Sequence, residues 1–171
     1  MKKEILDLVD ENDRVVGQAS REEIYRQSLS NYRVVNVLIF NLQGRMWLPR
    51  RTRHKSIFPN CFDFSCGEHV VSGEGYQEAA LRGLREELNL NLTENDLMLL
   101  DKLFPKNGVS SFMQIYKVFV EKAPRYNKKD FSSASFISIK KLGKMISAKP
   151  EDFKDDWPLV YKLILLSNDS L

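Results

Sequence analysis

Cysteine and histidine are scarce in this chain, which has only two of each among its 171 residues. The two cysteines, Cys61 and Cys66, lie close together in one apolar segment. A chain of this length buries roughly 70% of the surface that its unfolded form exposes, so its core needs neither disulfides nor a structural metal. The N-terminal segment also lacks the apolar stretch of a signal peptide. We therefore expect reduced thiols and a cytoplasmic protein.

Long apolar runs and a strong net charge are also missing. The longest apolar runs, such as residues 37–40, are far shorter than the roughly 20 residues that a membrane span requires, which excludes an integral membrane protein. The formal net charge of +3 is too small to predict a nucleic-acid partner. The 43% of hydrophobic residues excludes a disordered chain.

Alternating strand and helix signals predict a single α/β domain over residues 1–171 with a mixed β-sheet. A hairpin and a short helix that begins with the capping box of Ser20 and Glu23 form an N-terminal extension, residues 1–30. Asp156 is expected to cap the last helix, whose first turn holds Pro158. We predict strands at 3–9, 32–40, 45–48, 97–104, 111–120 and 135–139, an extended segment at 57–66, and helices at 21–28, 73–88, 140–147 and 157–166.

Two compact groups of opposite charge stand out. The basic group follows a predicted strand and comprises Arg50, Arg51, Arg53, His54 and Lys55. The acidic group is the adjacent pair Glu86 and Glu87 on a predicted helix. A phosphate ester bound through a divalent metal needs both kinds of group, although each could also be a solvated surface.

The helix over residues 73–88 has the spacing of a half-site for a metal ion. Positions 83, 86 and 87 are related as i, i+3 and i+4 and therefore share one face. A hard cation such as Mg²⁺ prefers carboxylate oxygens and substrate phosphates, which suits Glu86 and Glu87. The alternative is a solvated face on which Arg82 pairs with Glu78 and Glu86.

The segment from Gly67 to Leu90 resembles the Nudix box, which reads Gly, five residues, Glu, seven residues and then Arg-Glu-aliphatic-x-Glu-Glu-x-Gly-aliphatic. Six positions match at the correct spacing: Glu74, Arg82, Leu84, Glu86, Glu87 and Leu90. The resemblance implies an α/β/α sandwich in which residues 67–90 form a loop, a helix and a loop. It further implies Mg²⁺, with Mn²⁺ as an alternative, bound by Glu86 and Glu87.

The resemblance also assigns roles around this helix. The carbonyl of Gly67 is a further metal ligand, Arg82 orients the paired acids, and Glu74 supports the loop or binds a second metal. The basic group, with Arg50, Arg51, Arg53 and Lys55, becomes part of a diphosphate site, because guanidinium groups bind phosphate oxygens in a planar fork.

Three positions depart from the box. Glu68 stands where the box opens with Gly, and Asn89 replaces the closing Gly, whose left-handed conformation it can adopt. Gly83 replaces the Glu that in the family binds metal or activates water. If this missing carboxylate limits the rate, Gly83→Glu should raise turnover by roughly 10²-fold. Activity would survive if Glu68, or an acid near Glu121 or Asp130, reached the metal.

The first 120 residues also resemble the branch of Nudix proteins related to isopentenyl diphosphate isomerase. Shared features include Leu8 to Asn12, Arg21 to Tyr25, Arg50-Arg51 and Phe58-Pro59. The isomerase site is nevertheless missing: Cys66 and His69 are separated by one extra residue, and Gln114-Ile115-Tyr116 stands in place of a Glu-x-Glu pair. We therefore reject isomerase activity and expect Cys66 to be a buried thiol.

These features predict a Mg²⁺-dependent Nudix hydrolase that cleaves a diphosphate linkage in a nucleoside diphosphate derivative or a similar small organic diphosphate. The alternative is a domain of the same fold that binds such a ligand without turnover. Neither reading includes a membrane or a nucleic acid as partner, and the oligomeric state stays open.

Overall fold

The structure, a computed structural model, describes residues 4–166. Its strands are β1 (Ile5–Val9), β2 (Val15–Ser20), β3 (Arg33–Asn41), β4 (Met46–Arg51), β5 (Cys66–His69), β6 (Met98–Leu103), β7 (Phe112–Val120) and β8 (Phe131–Ile137). Its α-helices are α1 (Arg21–Arg26), α2 (Tyr76–Leu88), α3 (Ile139–Ala148) and α4 (Trp157–Val160). Within the described range, no helix is long and apolar enough to cross a membrane.

The central sheet is mixed, as the sequence predicts. Its strand order is β6-β7-β3-β4-β8, and β5 pairs with β3 beside this path. The central strand β3 runs parallel to β7, from Arg33 opposite Phe112 to Asn41 opposite Val120. Its other edge pairs with β5 along the first half of the strand and with β4 at Phe40. The strand β5 therefore lies beside the N-terminal half of β3.

Helices cover both faces of the sheet, because alternate side chains of β3 are apolar on both sides. On one face Val35, Val37 and Ile39 share a core with Ala80 and Leu84 of α2. On the other face Leu38 and Phe40 share a core with residues of α3 and of the C-terminal helix, including Trp157. This arrangement confirms the α/β/α sandwich.

The N-terminal extension is a separate two-stranded sheet followed by α1. Ser20 and Glu23 form the predicted capping box, with the Ser20 side chain accepting from the backbone of Glu23. The extension joins the sandwich through a small core of Leu6, Ile24 and Tyr32. The predicted hairpin begins at Lys3, which lies outside the described residues.

Several boundaries differ from the prediction. Residues 57–65 are irregular rather than extended, since Phe58 and Asn60 take left-handed φ values of 51° and 61°. The strand β8 begins at Phe131 instead of residue 135. The helix α2 begins at Tyr76 instead of residue 73, because Gly73 has a φ of 82°.

The C-terminal helix also departs from expectation. Pro158 lies in its first turn as predicted, and the helix continues from Tyr161 to Leu165 as a π-helix. Asp156 occupies the N-cap position as predicted, but its side chain makes no capping hydrogen bond. Its carboxylate instead accepts hydrogen bonds from the backbone N–H and the hydroxyl of Ser110 at 3.0 and 2.7 Å.

Candidate active site

The centre of the site is the contact between β5 and α2, where Gly83 allows the two elements to approach closely. A Cβ atom at Gly83 would lie 2.4 Å from Cγ of Glu68 and 2.8 Å from Sγ of Cys66. Both distances are shorter than side chains tolerate, so a larger residue fits here only if the side chains of Glu68 and Cys66 move. The Glu68 side chain therefore fills the space above the helix that a carboxylate at position 83 would otherwise need.

Arg82 connects the strand, the loop and the helix. Its Nε and Nη2 donate to the two carboxylate oxygens of Glu74 at 2.9 and 3.0 Å. Its Nη1 donates to Glu68 at 3.0 Å, and its Nη2 also donates to the carbonyl of His69 at 2.9 Å. Because these hydrogen bonds, above all those to Glu74, raise the pKa of Arg82, the guanidinium stays charged and fixes both carboxylates.

The predicted orientation of Glu86 and Glu87 by Arg82 is only partly present. The guanidinium lies 4.0 Å from Glu86, whose side chain is 58% exposed. Its short contacts are made with Glu68 and Glu74 instead. No salt bridge joins Arg82 to Glu87 within the part of the chain that the structure describes. Arg82 is thus a support of the strand and the loop.

Glu87 is a partly buried carboxylate that forms no salt bridge with any described residue. Burial raises its pKa to about 8, and the negative charges of Glu68, Asp63 and Asp130 add to the effect. Burial also raises the pKa of Glu68, although Arg82 opposes this. A bound cation would stabilise the charged form of carboxylates that are desolvated and lie close to one another in this way.

The three carboxylates fit a magnesium ion that also binds phosphate. Glu68, Glu86 and Glu87 line one cleft with the backbone of Gly67. Among residues 4–166, no three acidic, histidine or cysteine side chains converge on one point as a complete metal cage. Mg²⁺ does not need such a cage, because it commonly takes one or two carboxylates and completes its shell with water and substrate phosphates.

Glu74 lies apart from this cleft. Both of its oxygens are engaged by Arg82, and one also accepts from the backbone N–H of Val71 at 3.2 Å. Of the two predicted roles, support of the loop therefore agrees with the contacts. The prediction of Glu74 as a metal ligand does not.

The basic group divides into two parts. Arg51 and Lys55 line the cleft, but both are already paired: Arg51 with Asp63 at 2.5 Å and Lys55 with Asp130 at 2.5 Å. Arg51 also donates to the carbonyls of Ile57 and Phe58 at 2.9 and 3.1 Å. Arg51 therefore holds the irregular segment 57–65 against the sheet.

Arg50 and Arg53 lie outside the cleft, which corrects their prediction as substrate-binding residues. Arg50 donates to the carbonyl of Asn60 at 2.7 Å and lies over the ring of Phe62. Arg53 lines a separate hollow with His54 and Lys128. The pairing of β4 with β8 shifts its register between Arg50 and Arg51, and the sequence spacing alone does not reveal this irregularity.

The N-terminal extension supplies another wall of the cleft. Glu4, Arg21 and Tyr25 line it together with His69. The Tyr25 oxygen lies 2.9 Å from Nε2 of His69, and Nδ1 of His69 lies 3.4 Å from Glu4. Burial lowers the pKa of His69, which favours the neutral imidazole.

The cleft continues around β5 into a cavity of about 500 Å³ on the opposite face of the sheet. Gly67, His69, Phe58 and Lys154 line both spaces. The cavity thus lies next to the carboxylates and is shielded by α1. This connection gives the site two compartments, one acidic and one largely apolar.

Comparison with known proteins agrees with this architecture. The profile of the NUDIX domain family matches residues 31–162. The chain belongs to the NUDIX domain family. It is 46% identical to an uncharacterized Nudix hydrolase of Nostoc sp. over 90% of each chain. A crystal structure of a Deinococcus radiodurans protein superposes with a TM-score of 0.84 at 38% identity, covering 93% of this chain and 98% of that one.

The isomerase-like branch is also present among the relatives. An isopentenyl-diphosphate Delta-isomerase of Pectobacterium atrosepticum is 27% identical over 92% of this chain and 89% of its own length. Together, the Nudix relatives and the shared fold support a hydrolase. Cys66 is 1% exposed, and burial raises the pKa of its thiol well above the usual value. This agrees with the expected buried thiol.

Within the Nudix box, the closing position behaves as predicted. Asn89 takes the left-handed conformation with a φ of 54° and ends α2. The opening position is more informative, because Glu68 is directed to the helix and meets Gly83. The two departures from the Nudix box thus form one contact.

Two residues of the Nudix site were missed by reasoning from the sequence. Lys154 follows the predicted helix at 140–147, yet its ammonium group lies 3.6 Å from Asp63 beside the cleft. Asn36 is a polar residue in an otherwise apolar central strand, and it is 98% buried beside the cavity. Asn36 could have been noticed as the one amide in a run of aliphatic residues. No sequence pattern indicated that Lys154 lies near the site.

Proposed function

We propose that this Nudix protein hydrolyses a diphosphate linkage in a nucleoside diphosphate derivative or a similar small organic diphosphate, with Mg²⁺ or Mn²⁺ as cofactor. The observation that carries the proposal is the position of Glu68 above Gly83. It supplies the cleft with a third carboxylate even though the helix has lost one. The departure from the Nudix box is therefore compatible with turnover.

Glu68, Glu86 and Glu87 are the residues that would hold the metal, together with the carbonyl of Gly67. When bound, Mg²⁺ neutralises charge on the bridging phosphate oxygens and activates the attacking water. Glu68 is assigned the role of accepting the proton from that water. Its carboxylate is anchored by Arg82 at 3.0 Å and is raised in pKa by burial, both of which suit a positioned base.

Cationic groups on the opposite wall are assigned to the phosphates. Lys154, Lys55 and Arg21 line the same cleft as the carboxylates. Lys154 lies 3.6 Å from Asp63, which is a longer contact than the 2.5 Å ion pair between Lys55 and Asp130. A second phosphate contact is assigned to the backbone of Gly67, which lines the cleft and where the absence of a side chain permits close approach.

A hydrolysis screen tests the proposal. The wild-type protein is assayed with Mg²⁺ or Mn²⁺ against nucleoside diphosphate derivatives, nucleotide sugars and alkyl diphosphates, with EDTA as the metal-free reference. We expect turnover of at least one compound, and a loss of at least 10²-fold in Glu86→Gln/Glu87→Gln.

The matched control is Glu11→Gln/Glu94→Gln, which removes the same charge from two exposed positions. It should leave the rate unchanged. Metal-independent turnover, no turnover of any diphosphate, or full activity of the Glu86→Gln/Glu87→Gln protein would contradict the proposal.

A further inference from the structure

Asp63 is a buried carboxylate behind the wall of the cleft. The residue is 4% exposed and does not line the cleft itself. Arg51 donates to its Oδ2 at 2.5 Å, and the backbone N–H of Phe64 donates to its Oδ1 at 2.8 Å. Because each oxygen accepts a hydrogen bond, the carboxylate is held in one orientation.

The third partner of Asp63 is Lys154. The ammonium group of this lysine lies 3.6 Å from Oδ1 of Asp63 and 5.6 Å from the centre of the Phe64 ring, within the range of a cation–π contact. The backbone N–H of Lys154 donates to the carbonyl of Phe62 at 3.0 Å. Residues 62–64 therefore contact both ends of a side chain that would otherwise be flexible.

The ammonium group of Lys154 lies beside the backbone that the proposed function assigns to the metal and the phosphates. A Cβ atom at Gly67 would lie 3.7 Å from Nζ of Lys154. Lys154 also lines the same cleft as Glu68 and Glu87. A positive charge at this place can stabilise the negative charge that develops on the phosphate oxygens during hydrolysis.

Lys154 depends on Asp63 more than Arg51 does. Arg51 also donates to the carbonyls of Ile57 and Phe58 at 2.9 and 3.1 Å, whereas Lys154 forms no other ion pair within the described part of the chain. Burial alone would raise the pKa of Asp63, but the positive charges of Lys154 and Arg51 lower it below its ordinary value, so the carboxylate stays charged. Loss of this charge would therefore release Lys154 while Arg51 kept its other contacts.

We propose that Asp63 is a positioning residue that holds the ammonium group of Lys154 toward the diphosphate in the cleft. The inference rests on the proposed function and deepens it, because it identifies a residue outside the Nudix box on which phosphate binding depends. Asp63 acts through Lys154 and does not itself contact the substrate. A buried negative charge without this role would only repel the phosphates, so its removal would then strengthen binding.

A double-mutant cycle tests the role of Asp63. Asp63→Asn removes the charge and keeps the shape of the side chain. The affinity for methylene diphosphate with Mg²⁺ is measured by calorimetry in the wild-type protein, in Asp63→Asn, in Lys154→Met and in the double variant. We expect binding to weaken at least about fivefold in Asp63→Asn and at least about 10-fold in Lys154→Met. In the Lys154→Met background, Asp63→Asn should cause no further weakening, because the lysine through which it acts is gone.

The matched controls are Asp101→Asn and Lys144→Met, which make the same charge changes at exposed positions. Both should bind the probe as the wild-type protein does. Unchanged or tighter binding by Asp63→Asn would overturn the inference. An equal loss of affinity with and without Lys154 would also overturn it, because Asp63 would then act on the site by another route.

A second measurement does not depend on the folding of Asp63→Asn. Nuclear magnetic resonance of lysine ammonium groups in the ¹⁵N-labelled wild-type protein reports how strongly each group is ordered, and Lys154→Met identifies the signal of Lys154. We expect the ammonium group of Lys154 to be more ordered than that of Lys144 in the free protein. Equal mobility of the two groups would overturn the inference. A merely structural role of Asp63, confined to Arg51, would leave Lys154 mobile.

These measurements are separate from the test of hydrolysis. Coupling between Asp63 and Lys154 in a protein without turnover would refute hydrolysis and support the role of Asp63. Turnover in the hydrolysis screen, together with equal losses of affinity in the two backgrounds, would support hydrolysis and refute the role of Asp63. No binding of methylene diphosphate to the wild-type protein would refute that role.

Discussion

Gly83 provides a prediction in which the structure reverses the expectation from sequence. Alanine at an ordinary helix interior position is more stable than glycine by about 1 kcal/mol. At position 83, however, the added Cβ would lie 2.4 Å from Cγ of Glu68, well inside the ordinary carbon contact distance of about 3.5–4.0 Å. Overpacking of this kind typically costs about 1–3 kcal/mol, so Gly83→Ala should be destabilising.

The prediction is measured by urea unfolding of a double-mutant cycle. Glu68→Ala removes the atom that collides with the new Cβ, so Gly83→Ala should cost less in the Glu68→Ala background. We expect a coupling free energy of about 1 kcal/mol or more, since the two side chains are in direct contact. Gly83→Ala should still be somewhat destabilising in that background, because the new Cβ would remain 2.8 Å from Sγ of Cys66.

Activity gives the second half of the test. Gly83→Glu alone should reduce hydrolysis, because the new side chain displaces Glu68, and the rise in turnover that the Nudix box pattern suggests should not occur. Combined with Glu68→Ala, the same substitution returns a carboxylate to the cleft and should recover part of the rate. A Gly83→Ala protein that is more stable by about 1 kcal/mol, or a faster Gly83→Glu protein, would refute this reasoning.

Two further predictions concern buried groups near the same helix. Folding raises the pKa of Glu87 to about 8, so between about pH 5 and 8 the folded protein keeps a proton that the unfolded chain releases. Without metal, the free energy of unfolding should therefore fall by roughly 2–4 kcal/mol as the pH rises through this range. In EDTA, the melting temperature should depend less on pH in Glu87→Gln than in the wild-type protein. With Mg²⁺ added in place of EDTA, the melting temperature of the wild-type protein should rise more at pH 8 than at pH 6. The same pH dependence in both proteins would contradict the account. The buried thiol of Cys66 should give no isomerase activity, so dimethylallyl diphosphate formed from isopentenyl diphosphate at a rate dependent on Cys66 would contradict its assignment.

Much of the fold follows from local patterns in the sequence. The amphipathic face of α2, the capping box at Ser20 and the left-handed Asn89 are determined by residues close in the chain, and all three agree with the structure. The mixed sheet follows from the alternation of hairpins and crossovers. The left-handed conformations of Phe58 and Asn60 could not be predicted in this way. Arg51, which lies on β4, donates a hydrogen bond to the carbonyl of Phe58, and no local sequence pattern predicts this contact.

The candidate site was predictable only in part. Glu86 and Glu87 line the cleft as their spacing suggests, yet the role of Glu68 depends on the distance between β5 and α2. The distance between these two elements cannot be predicted from the sequence pattern of either one alone. Similarly, Arg50, Arg51, Arg53 and Lys55 lie within six positions of one another at the end of β4 and just after it, but of these four only Arg51 and Lys55 line the cleft.

The most direct test of the account is a Mn²⁺ titration of the protein with a methylene diphosphate, followed by calorimetry and by the electron paramagnetic resonance signal of the ion. The account predicts one diphosphate-dependent site whose affinity falls at least 10-fold in Glu87→Gln and also in Glu68→Gln, while Glu11→Gln binds as the wild type does. Equal Mn²⁺ affinity in Glu68→Gln and the wild type would contradict the claim that the strand carboxylate replaces the one missing from the helix.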